Sequence, residues 1–117
     1  MNGEPHMSFV AKYDIRGIYP KDVDERFAFL LGRAFVSHFG SRKVIVGQDA
    51  RESSPALANE LIHGLLLQGA DVIDMGLCST PMLYFASQEA DAIMVTASHN
   101  PKEFNGFKVC RKGSVVV

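Results

Sequence analysis

The chain is predicted to fold as a three-layer α/β/α domain around a mixed, mostly parallel sheet of 4–5 strands with a terminal antiparallel strand. Three observations carry this expectation. Short β-branched runs alternate with segments apolar at helical spacing, and such a βαβαβαβ succession places helices on the faces of a parallel sheet. The last strand follows a loop too short for a crossover, so it must run antiparallel to its neighbour. At 117 residues the chain is one domain with one core.

Val10 to Ile15 reads as the first strand. Asp22-Val23-Asp24-Glu25 fits a capping box in which Asp22 accepts from the backbone and Glu25 reaches back to it. The helix that follows carries Val23, Phe27, Leu30, Leu31, Ala34 and Phe35 at helical spacing and ends near Gly40. Its other side holds Phe29, Val36 and Phe39, leaving Arg26, Arg33 and Ser37 as the clearly polar strip. A helix apolar nearly all round is buried on two sides. Val44-Ile45-Val46 is the second strand. Ser54-Pro55 then opens a helix with an N-cap and an N1 proline, its stripe formed by Leu57, Ala58, Leu61, Ile62, Leu65 and Leu66. Asn59, Glu60 and His63 make the wet face, and Gly69 closes the helix. Val72 to Met75 is the third strand, Thr80-Pro81 starts a short helix through Ala86, and Ala92 to Val95 is the fourth strand. Phe107 to Cys110 is the return strand.

Composition narrows the function classes. With 47% hydrophobic and 21% charged residues the chain is ordinary for a soluble globular protein. A net charge of −1 and no Lys/Arg stripe exclude a general nucleic-acid surface. Lys102, Lys108, Arg111 and Lys112 are expected near the Ser98 loop, a cluster suited to one small anion. No apolar stretch approaches membrane-spanning length and no signal-peptide pattern is visible, so no membrane partner is expected, and two cysteines without a disulfide framework suit a reducing cytoplasm. Cys78 and Cys110 are too few for a disulfide framework and read as free thiols, Cys78 as a core or loop thiol rather than a nucleophile. His38, His63 and His99 share no zinc-ligand spacing with either cysteine. Residues 1–7 read as an appended leader ahead of a domain at 8–117.

Chemistry gathers at one edge. Ligands bind beyond the carboxyl ends of parallel strands. Gln48 to Arg51, Gly76 to Pro81 and the loop Thr96-Ala97-Ser98-His99-Asn100-Pro101 all fall there. The buried run Ala92 to Val95 stops abruptly at that last loop, where Pro101 prevents immediate ladder continuation. A serine so displayed, beside a histidine and ten residues before Lys108, suits phosphoryl handling, which needs positioning and positive charge. A serine-hydrolase dyad is a poor reading, because neighbouring side chains point apart and no G-x-S-x-G is present.

Phe9 to Gly17, Val46 to Ser54 and Thr96 to Val109 resemble, in order and spacing, the first domain of the α-D-phosphohexomutases. The closest look is to the phosphomannomutase/phosphoglucomutase branch, and the Thr96-Ala97-Ser98 lead-in with Phe107-Lys108 tilts away from the glucosamine branch. The resemblance implies an isomerase parent. There a phosphorylated Ser98 donates its group to a hexose monophosphate, a bisphosphate reorients, and the serine is rephosphorylated from the sugar's other end. It implies Lys108 as general acid/base or charge clamp and Arg16 close to the phosphoserine, with His99, grouped with them as catalytic, orienting the loop and contacting substrate or phosphate. Asn100, Thr96 and Lys102 are expected to contact substrate or phosphate, and Asp49, Arg51, Asp14 and Tyr13 to support the loop. A separate reading of Arg16 pairs it with Asp14 or Asp49. The resemblance also implies Mg2+, with Ser98 a ligand through its phosphate, and hexose 1,6-bisphosphate as activator.

In that family the acidic metal loop, sugar recognition and the distal phosphate site belong to domains II–IV, which have no match here. The expected readings are therefore a catalytic domain inactive alone, a self-associating module, and a lone phosphate-binding protein. A homodimer is expected from the doubly apolar helix and the Val115-Val116-Val117 end.

Overall fold

The computed structural model describes residues 14–113. Eight elements alternate: β1 (Asp14–Ile18), α1 (Glu25–Phe39), β2 (Lys43–Gln48), α2 (Ser54–Leu67), β3 (Asp71–Leu77), α3 (Thr80–Ala86), β4 (Asp91–Val95) and β5 (Phe104–Cys110). They form one five-stranded sheet in the order β1-β5-β4-β2-β3. β2 runs parallel to β3 and β4, while β5 is antiparallel to both β4 and β1, so β5 alone is reversed. The expected mixed, mostly parallel sheet is thus the observed one.

Side chains alternate across the strands with period two, which sorts the core into two layers. Val44, Val46, Ile93, Val95, Phe107 and Val109 pack with α1 and α2. Ile45, Ala92, Met94 and Cys110 pack on the other face with Leu83 of α3. β4 is buried along its whole length, as its unbroken apolar run requires.

The second apolar side of α1 is occupied by α2, not left open. The two backbones come so close that a Cβ on Gly64 would lie 2.1 Å from the Phe29 carbonyl oxygen, and one on Gly32 2.5 Å from that of Leu61. Phe29 meets His63 of α2 edge-on at 5.0 Å between centroids, and the Arg111 guanidinium lies 4.0 Å over the Phe39 ring. This helix therefore does not supply the self-association surface its double apolarity suggested. The Val115 to Val117 end lies outside the described residues, as does most of the first expected strand, whose described part runs on to Ile18.

Three local expectations change. The cap of α1 is Asp24, which accepts from the Phe27 amide at 2.8 Å. Asp22 is taken by the Ile18 amide at 3.0 Å, closing the turn out of β1, and Glu25 receives the Tyr19 hydroxyl at 2.5 Å. The N-cap of α2 is Ser53, without a side-chain cap bond, and the hydroxyl of Ser54, the expected cap, donates to Asp49 at 2.6 Å instead. β5 starts at Phe104, ahead of the expected Phe107.

The basic cluster also splits. Arg111 and Lys112 follow the far end of β5, where the Arg111 Nε and the Lys112 amide donate to Asp91 at 3.0 and 2.7 Å. An antiparallel return strand carries its last residues away from the loop at its start. No helix among the described residues is long and apolar enough to cross a membrane.

Candidate functional site

Beyond the carboxyl ends of β2 and β4 lies a cleft of about 720 Å³. Two loops contribute Asp49, Thr96, Ser98 and His99, and β5 contributes Lys108. Thr80, Pro81 and Tyr84 of α3 close the third side. The three loops that the sequence assigned to one edge do meet there.

Ser98 is at the apex with φ 55°, the only non-glycine residue in the left-handed region among those described. Such a conformation costs about 1–3 kcal/mol and persists only where surroundings over-determine it. Arg51 supplies much of that determination. Its Nη1 donates to the carbonyls of Pro101 and Phe104 at 2.7 and 2.9 Å, and its Nη2 to those of Ser98 and Asn100 at 2.9 and 2.8 Å. A planar fork with fixed donor directions can staple a loop in this way, and an ammonium cannot. Asp49 in turn holds Arg51, accepting from its Nε at 3.3 Å and its amide at 3.1 Å.

Arg16 reaches the same loop from β1. Its Nη1 donates to Asn100 Oδ1 at 2.8 Å and its Nη2 to Ser98 Oγ at 3.3 Å. Arg16 pairs with Gly106 across β1 and β5, so it shares a sheet face with Lys108 two residues on. Lys108 lines the cleft with its Nζ 5.8 Å from the centre of the Tyr84 ring. Two cations thus face one serine hydroxyl across a solvent-open cleft, an arrangement that can hold and neutralise a phosphoryl group. His99 is exposed on the cleft wall.

Other expected residues fall elsewhere. The Thr96 hydroxyl is committed inward: it donates to Asp49 Oδ2 at 2.7 Å and accepts from the Ser98 amide at 3.0 Å. It braces the loop rather than offering a free group to a ligand. Lys102 lines a separate hollow of about 290 Å³ with Tyr19, Glu52 and Glu103 and is not brought to the Ser98 cleft. Asp14 pairs with Lys108 through the backbone, and Tyr13 lies outside the described residues. Tyr84 was missed by sequence reasoning. The i,i+4 spacing from Thr80, which puts both on one side of α3, was the available signal.

Burial pushes the Cys78 thiol up, outweighing the Gln48 backbone hydrogen bond, which disfavours its thiolate form. Among the described residues no group of three or more His, Cys, Asp and Glu is placed to hold a metal ion. Both oxygens of Asp49 are already engaged by Ser54, Thr96 and Arg51. The side chains described here do not by themselves fit a Mg2+ site.

Residues 8–116 match the family described as phosphoglucomutase/phosphomannomutase, alpha/beta/alpha domain I. A Methanocaldococcus jannaschii protein named "Phosphomannomutase" is 44% identical over 105 residues, covering 88% of this chain and 23% of that protein. A Thermococcus gammatolerans protein named "Probable phosphoglucosamine mutase" is 47% identical over 98 residues, covering 81% of this chain and 22% of the relative. The crystal structure of a phosphoglucomutase/phosphomannomutase family protein from Burkholderia thailandensis superposes with a TM-score of 0.81 at 38% identity, over 92% of this chain and 27% of that one. The chain spans about a quarter of the length of the curated relatives it matches.

Proposed function

Because this chain belongs to the phosphoglucomutase/phosphomannomutase family through its α/β/α domain I, we propose that Ser98 is the phosphoryl carrier of a hexose-phosphate mutase. The substrate class is a hexose 1- or 6-phosphate of glucose or mannose, with a glucosamine phosphate as the alternative, which the 47% identity to a protein named "Probable phosphoglucosamine mutase" supports. In the forward half-reaction the bond from phosphorus to Ser98 Oγ breaks and one forms to the sugar hydroxyl oxygen. The hydroxyl proton passes to a base, and Ser98 Oγ ends protonated. The bisphosphate turns over and the second half-reaction reverses these steps at the other end.

The observation that carries this reading is the left-handed Ser98, with Oγ 3.3 Å from the Arg16 guanidinium, on a cleft it shares with Lys108. Arg16 is the clamp for the charge on phosphorus. Lys108 is the candidate for the proton or for a second clamp, and His99 for a contact with substrate. Mg2+ bound through the Ser98 phosphate would neutralise charge during transfer, its other ligands coming from a part of the family's chain not represented here. The chain alone does not interconvert hexose phosphates, because a bisphosphate needs a hold on its distal end while it turns.

Mass spectrometry of the complete open-reading-frame product after exposure to glucose 1,6-bisphosphate tests the assignment. The phosphate is expected on Ser98; finding it on Ser53, Ser79 or Thr96 instead overturns it. Ser98→Ala is expected to lower turnover at least about a thousandfold, since it removes the covalent carrier. A coupled assay on the 117-residue chain with Mg2+ is expected to show no turnover.

A second reading, self-association of the chain, is favoured by a different surface from the helix first considered. Leu77, Met82 and Phe85 are 69%, 55% and 83% exposed around α3. Sedimentation equilibrium across micromolar concentrations decides it, a constant 12.8 kDa species excluding the dimer.

A further inference from the structure

We propose that Asn105 and Ser54 are positioning residues for Ser98, acting through a chain of hydrogen bonds whose two arms converge on the Asp49 carboxylate, one starting at Asn105 and the other at the Ser98 amide. The proposal rests on the reading of Ser98 as phosphoryl carrier. Asn105 Nδ2 donates to Ser54 Oγ at 3.0 Å, and Ser54 Oγ donates to Asp49 Oδ1 at 2.6 Å. From the other carboxylate oxygen the path runs out again: Thr96 Oγ1 donates to Asp49 Oδ2 at 2.7 Å and accepts from the Ser98 amide at 3.0 Å.

The polarity of this chain has no freedom in it. An amide nitrogen only donates and a carboxylate only accepts, so each hydroxyl between them must receive on one side and give on the other. The Thr96 proton is committed to Asp49, which leaves its lone pair for Ser98. The orientation of the Asn105 amide is set independently, because Oδ1 accepts from the Gly106 amide at 2.8 Å. Gly106 closes the circuit, its carbonyl accepting from the Thr96 amide at 2.9 Å.

Burial gives the circuit its stiffness. Asn105 and Ser54 are fully buried and Thr96 is 5% exposed. In such surroundings hydrogen bonds strengthen one another, and a missing partner is costly. The circuit fixes the Ser98 nitrogen while Arg51 fixes its carbonyl, so the direction of the Cα–Cβ bond follows from groups two elements away, and Arg16 then meets Oγ at 3.3 Å. A reacting atom misplaced by about 1 Å costs on the order of a hundredfold in rate.

Three variants test this. Ser54→Ala cuts the circuit by one oxygen atom, Asn105→Ala removes its origin, and Ser53→Ala is the control. Ser53 Oγ also accepts from Asn105 Nδ2, at 2.7 Å, but Ser53 is not a member of the circuit. Solvent-exchange NMR on the 117-residue chain is expected to show the Ser98 amide exchanging about tenfold faster in Ser54→Ala, with β2 and β4 amides unchanged. Ser53→Ala is expected to leave Ser98 as it was. In the complete open-reading-frame product, Ser54→Ala is expected to lower kcat about ten- to a hundredfold with KM within about twofold. Unchanged Ser98 exchange, or faster exchange with unchanged kcat, overturns the proposal. Should Asn105→Ala fail to fold, Ser54→Ala alone carries both readouts. Turnover that survives Ser98→Ala overturns the carrier reading instead, and exchange in the lone chain, where no turnover is read, keeps the two failures apart.

Discussion

Arg51 Nη2 donates to the carbonyl of Ser98 at 2.9 Å, so the apex of the β4–β5 loop is held from the β2–α2 loop. Ser98 and Arg51 are 47 residues apart in sequence, and the bond forms only because β2 and β4 are parallel neighbours whose carboxyl ends emerge side by side.

Arg51→Lys is therefore expected to be far from conservative. One ammonium cannot serve four carbonyls in a plane, and the change is expected to cost about 2 kcal/mol. Urea denaturation checks it, with a lower midpoint and an unchanged slope. Ser98 phosphorylation by hexose bisphosphate is expected to slow in parallel.

Gly64→Ala and Gly40→Ala separate packing from backbone strain. At Gly64 the new Cβ would meet backbone of α1, which cannot move without parting the helices, and the expected loss is about 3 kcal/mol. At Gly40 nothing lies within 4 Å of the new Cβ, but φ is 66°, so the expected loss is about 1 kcal/mol. Parallel urea titrations of the two variants read the difference.

Asp91 makes stability pH-dependent. Burial works against its charge, yet hydrogen bonds from the Ser41 hydroxyl, the Lys112 amide and Arg111 outweigh it and hold the carboxyl below its ordinary 3.8. The folded pKa is depressed, so the unfolded chain binds the proton more readily. This contribution is fully present above the ordinary value and is lost as pH falls through the folded one. Asp91→Asn is expected to lower stability by about 2 kcal/mol at pH 7, with the gap to the parent chain narrowing below about pH 4. Urea midpoints measured from pH 7 down to pH 3 check both.

Cys110 is expected to be chemically quiet in the folded chain. Burial pushes its thiol up to about 11 from an ordinary 9.0, with Lys108 pulling only weakly the other way. At pH 8 this leaves about a hundredfold less thiolate than an ordinary cysteine, before steric shielding is counted. Thiol titration at pH 8 is expected to show one slow and one very slow group, and two fast groups in denaturant. A fast folded-state reaction at Cys110 would refute the burial argument.

Period and punctuation made the element order, the two-faced strands and the single edge of loops legible in the sequence. Ala92 to Val95 could only be a strand buried on both faces, and Ser98 had to lie at its carboxyl end. What stayed illegible were choices among chemically equivalent partners. Asp22, Asp24 and Glu25 could each serve the start of α1, and the turn out of β1 decided which did.

By itself, then, the sequence determined the α/β/α class and the place of Ser98 and Arg51 at one edge, because periodicity and strand ends are local properties; the approach of Arg16 and Lys108 came from the family resemblance. Tertiary structure alone decided that Thr96 turns inward to Asp49, that Tyr84 joins Lys108, that Lys102 and Arg111 go elsewhere, and that α2 covers the second face of α1. Those are pairings between residues distant in sequence, and a hydroxyl, an amine or an apolar face does not carry its partner's identity until the chain has brought the two together.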